Sequence, residues 1–251
     1  NNASVVGNSD AYGYGSGFYL GTTFNSTLSI ANSVIWDNGD STQIYLESIS
    51  NPNVTIAYSD IQAGENGITN SVGTLTWGDG NIDVDPLFVD ADNDDFNLTA
   101  DSRCIDTGHP DSTDADGTIA DMGAFYYDQA GHPVRVSNLI TTPSADNVSV
   151  KWNVNSDAAS YNIYRSIDGS ADFYSLSPFT TETDTFYVDE TADDNTTYHY
   201  RVSAVDSESD EGILAFADHG RRGDDTTALS MGADDSWISV SDPRAPVFSA
   251  E

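Results

Sequence analysis

The sequence predicts an all-β chain in two parts, a solenoid of short β-coils followed by a small antiparallel β-sandwich. A 26-residue repeat in the first half, its loss after residue 128, and a fresh series of strands beyond that point carry the prediction. Phe18, Leu20, Leu28, Ile30, Ser33 and Ile35 return 26 positions later as Ile44, Leu46, Val54, Ile56, Ser59 and Ile61. Apolar residues return to apolar positions and serine to serine. A third, weaker pass reaches Ile82 and Leu87.

Within each pass apolar and polar residues alternate, as in Leu28-Ser29-Ile30 and Val54-Thr55-Ile56, which is the period of a strand. Strands this short cannot bury a face alone, so successive passes must stack. The inward set is Leu20, Leu28, Ile30, Ile35, Ile44, Leu46, Val54, Ile56 and Ile61, with Phe18 in register with Ile44. Tyr12, Tyr14, Phe18 and Tyr19 lie among Gly13, Gly15 and Gly17, either at a corner where the glycines let the chain turn or as a surface for stacking sugar rings.

The run Ser33 to Gly39 (SVIWDNG), then Tyr58 to Gly64 (YSDIQAG), then Asn81 to Asp90 (NIDVDPLFVD), resembles the last coils of the right-handed parallel β-helix of large bacterial surface and secreted proteins. Asp95 to Leu98 (DFNL), Asp101 to Gly108 (DSRCIDTG) and Asp121 to Phe125 (DMGAF) resemble the segment that closes such helices. The likeness covers residues 1 to 130. It implies that Asn1 begins inside a solenoid whose earlier coils lie upstream, and it places Cys104 where the family also has a cysteine. As the single cysteine of the chain it can form no internal disulfide, and a small buried role is expected for it.

Composition excludes some partners. Lys+Arg number 8 against 41 Asp+Glu, a net charge of −33, and residues 1 to 130 hold one basic residue, Arg103, against 20 acidic ones. Neutralising phosphates requires Lys and Arg, so nucleic acid is not a partner, and neither is an anionic membrane surface. Such self-repulsion calls for screening by salt or bound calcium, or else simply keeps an extracellular protein soluble. No stretch approaches the ~20 apolar residues of a membrane span. No signal peptide opens the chain, which fits a piece of a secreted or cell-surface protein.

A polar breaker cluster, Asp128-Gln129-Ala130-Gly131-His132-Pro133, ends the repeat. Strands then follow at Val148 to Trp152, Tyr161 to Arg165, Thr185 to Asp189 and Tyr198 to Asp206, spaced by turn clusters, which reads as an antiparallel sandwich. The early Trp152, the strand YNIYR and the strand TTYHYRVSAV resemble a fibronectin type III domain over 134–218. The resemblance places Trp152 in the core and makes Tyr198 the tyrosine-corner residue. Residues 219–251 resemble no named fold, though Ser236 to Val240 could form a short strand.

Calcium is the cofactor the sequence suggests. Asp111, Asp114, Asp116 and Asp121 offer hard oxygen ligands at short spacing around Gly117, without the bidentate Glu of an EF-hand loop. The alternative is a solvated acidic turn. Asp90, Asp92, Asn93, Asp94 and Asp95 make a second such cluster. No catalytic residue is assigned: one Arg in 130 residues does not suit a polyuronate lyase, and aspartates are too abundant for a glycosidase pair to stand out. His109, His132, His199 and His219 lack metal-ligand spacing. Arg222-Gly223-Asp224, the tripeptide that integrins read, and the Asn-x-Ser/Thr triplets headed by Asn2, Asn25, Asn53, Asn97, Asn147 and Asn195 are weak signals in this composition.

The expected function is a non-catalytic extracellular structural or adhesion module, a stalk or fibre component whose partners are other copies of itself, other surface proteins or carbohydrate. One alternative is a piece of a carbohydrate-active β-helix protein with its catalytic part elsewhere. Another is a self-assembling filament subunit, since a bare solenoid end offers unpaired strand edges.

Overall fold

Residues 1–9, 17–20, 27–39, 42–46, 52–70 and 73–223 are described by the computed structural model. The sequence positions of Tyr12, Tyr14, Asp224 and Ser236 to Val240 lie outside them. Alternating apolar and polar residues build many of the strands, and helix among the described residues is confined to short 3-10 turns. The chain divides at Val134 and Arg135 into two compact units.

The first unit makes three passes. Strands β1 (Ser4–Val6), β2 (Phe18–Leu20) and β3 (Thr27–Ala31) belong to the first. β4 (Val34–Trp36), β5 (Ile44–Leu46) and β6 (Asn53–Ala57) belong to the second, and β7 (Asp60–Ile61), β8 (Ile68–Asn70) and β9 (Thr74–Trp77) to the third. Each pass contributes one strand to each of three parallel sheets, β1-β4-β7, β2-β5-β8 and β3-β6-β9. Between the first two passes β2-β5 and β3-β6 keep the register the repeat dictates, Phe18 pairing with Ile44, Leu20 with Leu46, Leu28 with Val54 and Ile30 with Ile56, whereas β1 meets β4 30 positions on, Ser4 with Val34. Ile35 and Ile61 are likewise partners. Ile35, Ile44, Leu46, Ile56 and Ile61 are fully buried, Val54 and Ile30 nearly so, and Phe18, Leu20 and Leu28 pack against them half-buried. A slip of one residue would turn this set to solvent, which is why the pattern specifies the register.

The third pass keeps the 26-residue period at β7 and departs from it beyond. Ile44 pairs with Ile68, 24 positions on, and Ile56 with Trp77, 21 positions on. Ile82 bridges Asp60, and Leu87 is 40% exposed with φ +52°. Neither occupies the place that a third 26-residue pass would give it. The strands keep their pairing while the corners shorten: a 3-10 turn at Gly64–Gly67 joins β7 to β8, and Gly80 turns with φ +73°. A period read from apolar residues does not count corner residues.

β10 (Phe88–Asp90) and β11 (Asp95–Leu98) form an antiparallel hairpin. The chain then runs back along the passes without regular strands. The His109 amide donates to Asn32 Oδ1 (2.8 Å), the Gly123 amide to the Asn32 carbonyl (3.0 Å), and the Ala124 amide to Ser4 Oγ (3.1 Å).

The second unit holds β12 (Ile140–Pro143), β13 (Val148–Lys151), β14 (Ser160–Ser166), β15 (Thr180–Glu182), β16 (Phe186–Asp189), β17 (Thr197–Val205) and β18 (Asp218–Arg221). They form two antiparallel sheets, β12-β13-β16 and β15-β14-β17-β18. Val148, Val150, Trp152, Tyr161, Ile163, Tyr200, Val202 and Ala204 fill the core. The strands that sequence patterning does not reveal, β12, β15 and β18, all lie at sheet edges, where half the residues need no apolar partner. Tyr198, expected at a tyrosine corner, donates its hydroxyl to the Asp193 carboxylate (3.0 Å) rather than to a backbone acceptor.

Candidate functional site

The acidic turn is held by its own backbone. Asp121 is 2% exposed, its Oδ1 accepts the Asp106 amide (2.8 Å) and its Oδ2 the Tyr127 amide (2.7 Å). In turn the Asp121 amide donates to Asp114 Oδ2 (2.7 Å). Asp116 accepts from the Thr118 amide and hydroxyl (3.1 and 2.9 Å) and from the Gln129 amide (2.9 Å). Asp111 stands exposed at the surface, its amide donating to His109 Nδ1 (3.2 Å).

Burial and then the neighbouring carboxylates raise the Asp121 carboxyl to about 7, against the pull of its amide donors. Asp114 is raised for the same reasons, burial first. For Asp116 burial also works upward, but the Gln129 and Thr118 donors outweigh it and the carboxyl lies below its usual range. The structure therefore brings Asp114 to Asp121, turns Asp116 to Thr118 and Gln129, and leaves Asp111 aside. It adds Asp106, whose Oδ2 accepts from Gln129 Nε2 (2.9 Å) while Oδ1 is buried without a partner among the described residues.

The second acidic cluster is the hairpin turn between β10 and β11. Asn93 Nδ2 donates to Asp90 Oδ2 (2.8 Å), the Asn97 amide to Asp95 Oδ1 (3.1 Å), and Asp94 takes φ +63°. Among the described residues no group of three or more His, Cys, Asp or Glu comes together as a set that could hold a metal ion.

A buried acid escapes sequence reading altogether. Asp60 is fully buried in β7 beside the equally buried Ile61, breaking the alternation that would send it outward. Its Oδ1 accepts the Val84 amide (3.2 Å) and its Oδ2 the Cys104 thiol (3.4 Å). Burial raises the Asp60 carboxyl to about 7, Asp83 and Asp85 adding to it. Cys104, also fully buried, has its thiol driven well above the usual range by burial and then by the Asp60 charge, so it is inert toward nucleophilic chemistry.

In the sandwich, Arg165 Nη1 meets Asp189 Oδ2 at 2.6 Å, and the Tyr200 hydroxyl donates to the same oxygen (2.7 Å). The Thr191 amide and hydroxyl donate to Asp189 Oδ1 (2.9 and 2.8 Å). Although burial opposes it, these donors hold the Asp189 carboxyl below its usual range. The Arg165 guanidinium lies over the Phe179 and Tyr198 rings, 3.9 and 4.5 Å from their centroids.

The histidines fall in different places. His109 packs edge-on to Tyr58 (4.8 Å between centroids) and His132 is exposed. His199 on β17 and His219 on β18 are direct cross-strand partners, their rings 5.6 Å apart. Their separation in sequence conceals this, and β18 carries no apolar alternation that would have revealed it.

No protein-family model and no curated protein sequence matches the chain. Similar solved structures include a Fn3-like protein from Clostridium thermocellum, at 24% identity over 38% of this chain and 97% of that one, with a TM-score of 0.33. The sixth fibronectin type III domain of human fibronectin type III domain containing protein 3 is 19% identical over 41% of this chain and 95% of its own, TM-score 0.31. A β-1,2-glucanase from Parabacteroides distasonis is also similar, at 22% identity and TM-score 0.31, over 43% of this chain but 15% of the glucanase. No helix among the described residues is long and apolar enough to cross a membrane.

Proposed function

We propose that this chain is a non-catalytic extracellular structural or adhesion module, in which the terminal coils of a right-handed parallel β-helix lead into a fibronectin type III-like sandwich. The observation that carries this reading is the in-register stack of the three passes. Leu28, Val54 and Leu75 follow one another across β3, β6 and β9, as do Ile30, Ile56 and Trp77. The outward positions of the same strands are Thr27, Asn53 and Thr74, then Ser29, Thr55 and Thr76, small and polar. An interior filled with side chains and a plain polar exterior suit a spacer better than a catalyst. The most perturbed acids serve the fold: Asp60 and Asp121 are buried and hydrogen-bonded to backbone amides. A net charge of −33 keeps such a surface soluble and repels anionic membranes.

This reading does not need calcium, because Asp114, Asp116 and Asp121 already accept backbone amides. The partners it implies are other surface proteins or further copies of the chain. Incubating the full chain with a panel of neutral and acidic polysaccharides and measuring new reducing ends tests it. No release is expected. Sustained release from any one polysaccharide would replace the structural reading with the carbohydrate-active one.

A further inference from the structure

His199 and His219 are the only side chains of their type that the described fold sets side by side on one sheet face. They are register partners on adjacent antiparallel strands, and their rings lie 5.6 Å apart with a 41° tilt. Along β17 the core takes Tyr198, Tyr200, Val202 and Ala204, so His199 belongs to the face turned away from the core. His199 is partly exposed and His219 exposed, which leaves both within reach of solute.

We propose that His199 and His219 form a two-imidazole site for a divalent transition metal of the zinc or nickel type, completed by water. An ion bound to an imidazole nitrogen at about 2.1 Å lies about 3.2 Å from the ring centroid. Two rings 5.6 Å apart can therefore share one ion at an angle of about 120°, close to what tetrahedral coordination asks. Three features of the surroundings favour it. Burial, and then the neighbouring His219, hold the His199 imidazole below its usual pKa. Gly169 packs against the nitrogen-bearing side of that ring: a Cβ on this residue would fall 2.7 Å from His199 Cε1, 2.9 Å from Nε2 and 3.1 Å from Nδ1, so the glycine leaves room beside the ring that any side chain would fill. Asp168 supplies nearby negative charge, held ionised by the Ser170 hydroxyl and amide (2.7 and 2.9 Å), and the field of a −33 chain concentrates cations. Imidazole nitrogen selects zinc, nickel or copper over calcium and magnesium, which the abundant carboxylates would take instead.

The test is calorimetric titration of the full chain, free of any purification tag, with nickel(II) chloride in a large excess of calcium that occupies the carboxylates. One nickel per chain is expected. His219→Asn should weaken binding by about tenfold or more, since the second imidazole acts at high effective concentration. His132→Gln should leave it unchanged. In imidazole-ring NMR spectra, nickel should broaden the His199 and His219 signals and spare those of His109 and His132. Equal affinity in His219→Asn, or broadening that spares His199 and His219, would overturn the proposal.

Discussion

The backbone amide of Ser33 donates to the hydroxyl of Ser59, 3.2 Å away and 26 residues further along the chain. The contact repeats. The Ala3 amide donates to Ser33 Oγ (3.3 Å), and the Ser59 amide to Asn81 Oδ1 (3.1 Å). Each serine also donates back to a carbonyl of its own pass, Ser33 to Ala31 (2.8 Å) and Ser59 to Ala57 (3.0 Å). A column of polar side chains thus satisfies corner amides that the sheet ladders do not reach.

Ser59→Ala removes the acceptor of a buried amide and should cost about 1–3 kcal/mol in chemical denaturation. Ser29→Ala, on the outward face, should stay within about 0.5 kcal/mol. Equal effects at the two positions would show that the column contributes nothing.

Stability should fall as pH rises from about 4 to about 7. Asp60 has an ordinary value of 3.8 and a folded value of about 7, so between the two the folded chain holds a proton that the unfolded chain has released. Asp121 acts in the same direction. Each tenfold change in proton affinity is worth about 1.4 kcal/mol. Asp60→Asn should flatten the profile measured by denaturation at pH 5, 6, 7 and 8. An unaltered slope in that variant would remove Asp60 as its source.

The acidic turn separates two explanations of its carboxylates. If backbone amides hold it, excess chelator at constant ionic strength leaves the melting curve unchanged, while Asp116→Ala, losing the Thr118 and Gln129 donors, costs about 1–3 kcal/mol with or without chelator. A chelator-induced drop in melting temperature that Asp116→Ala abolishes would instead establish bound calcium.

Arg165 and Asp189 should behave as a unit with Tyr200. Removing one member of a buried pair strands the other, so Arg165→Ala should destabilise the sandwich by about 3–5 kcal/mol. Because the Asp189 carboxyl lies below its usual range, the pair's contribution is present above the unfolded value and is lost as pH falls through the folded one. A loss below about 1 kcal/mol would place this pair among ordinary surface bridges.

The aliphatic stack was legible because its signal is periodic: Ile30 and Ile56 declare a shared register by spacing alone. So were the inner strands of the sandwich and the burial of Trp152, where alternation is complete. Corners were not legible, since their length follows backbone geometry such as φ +73° at Gly80, and the third pass was misplaced for that reason. Asp60 was missed because nothing in Ser59-Asp60-Ile61 distinguishes a buried acid from a solvated one. His199 and His219 were missed because their meeting depends on β18.

The stacking of successive passes is tested most directly by pairs of cysteines on the outward face, with the buried Cys104 as a silent background. Ser29 and Thr55 are register partners on adjacent strands, as are Thr55 and Thr76, whereas Ser29 and Thr76 are two strand spacings apart, about 9.6 Å. With a bifunctional thiol reagent shorter than that distance, Ser29→Cys/Thr55→Cys and Thr55→Cys/Thr76→Cys should cross-link within the monomer and Ser29→Cys/Thr76→Cys should not. Failure of both adjacent pairs, or equal cross-linking of the distant pair, would contradict the stack.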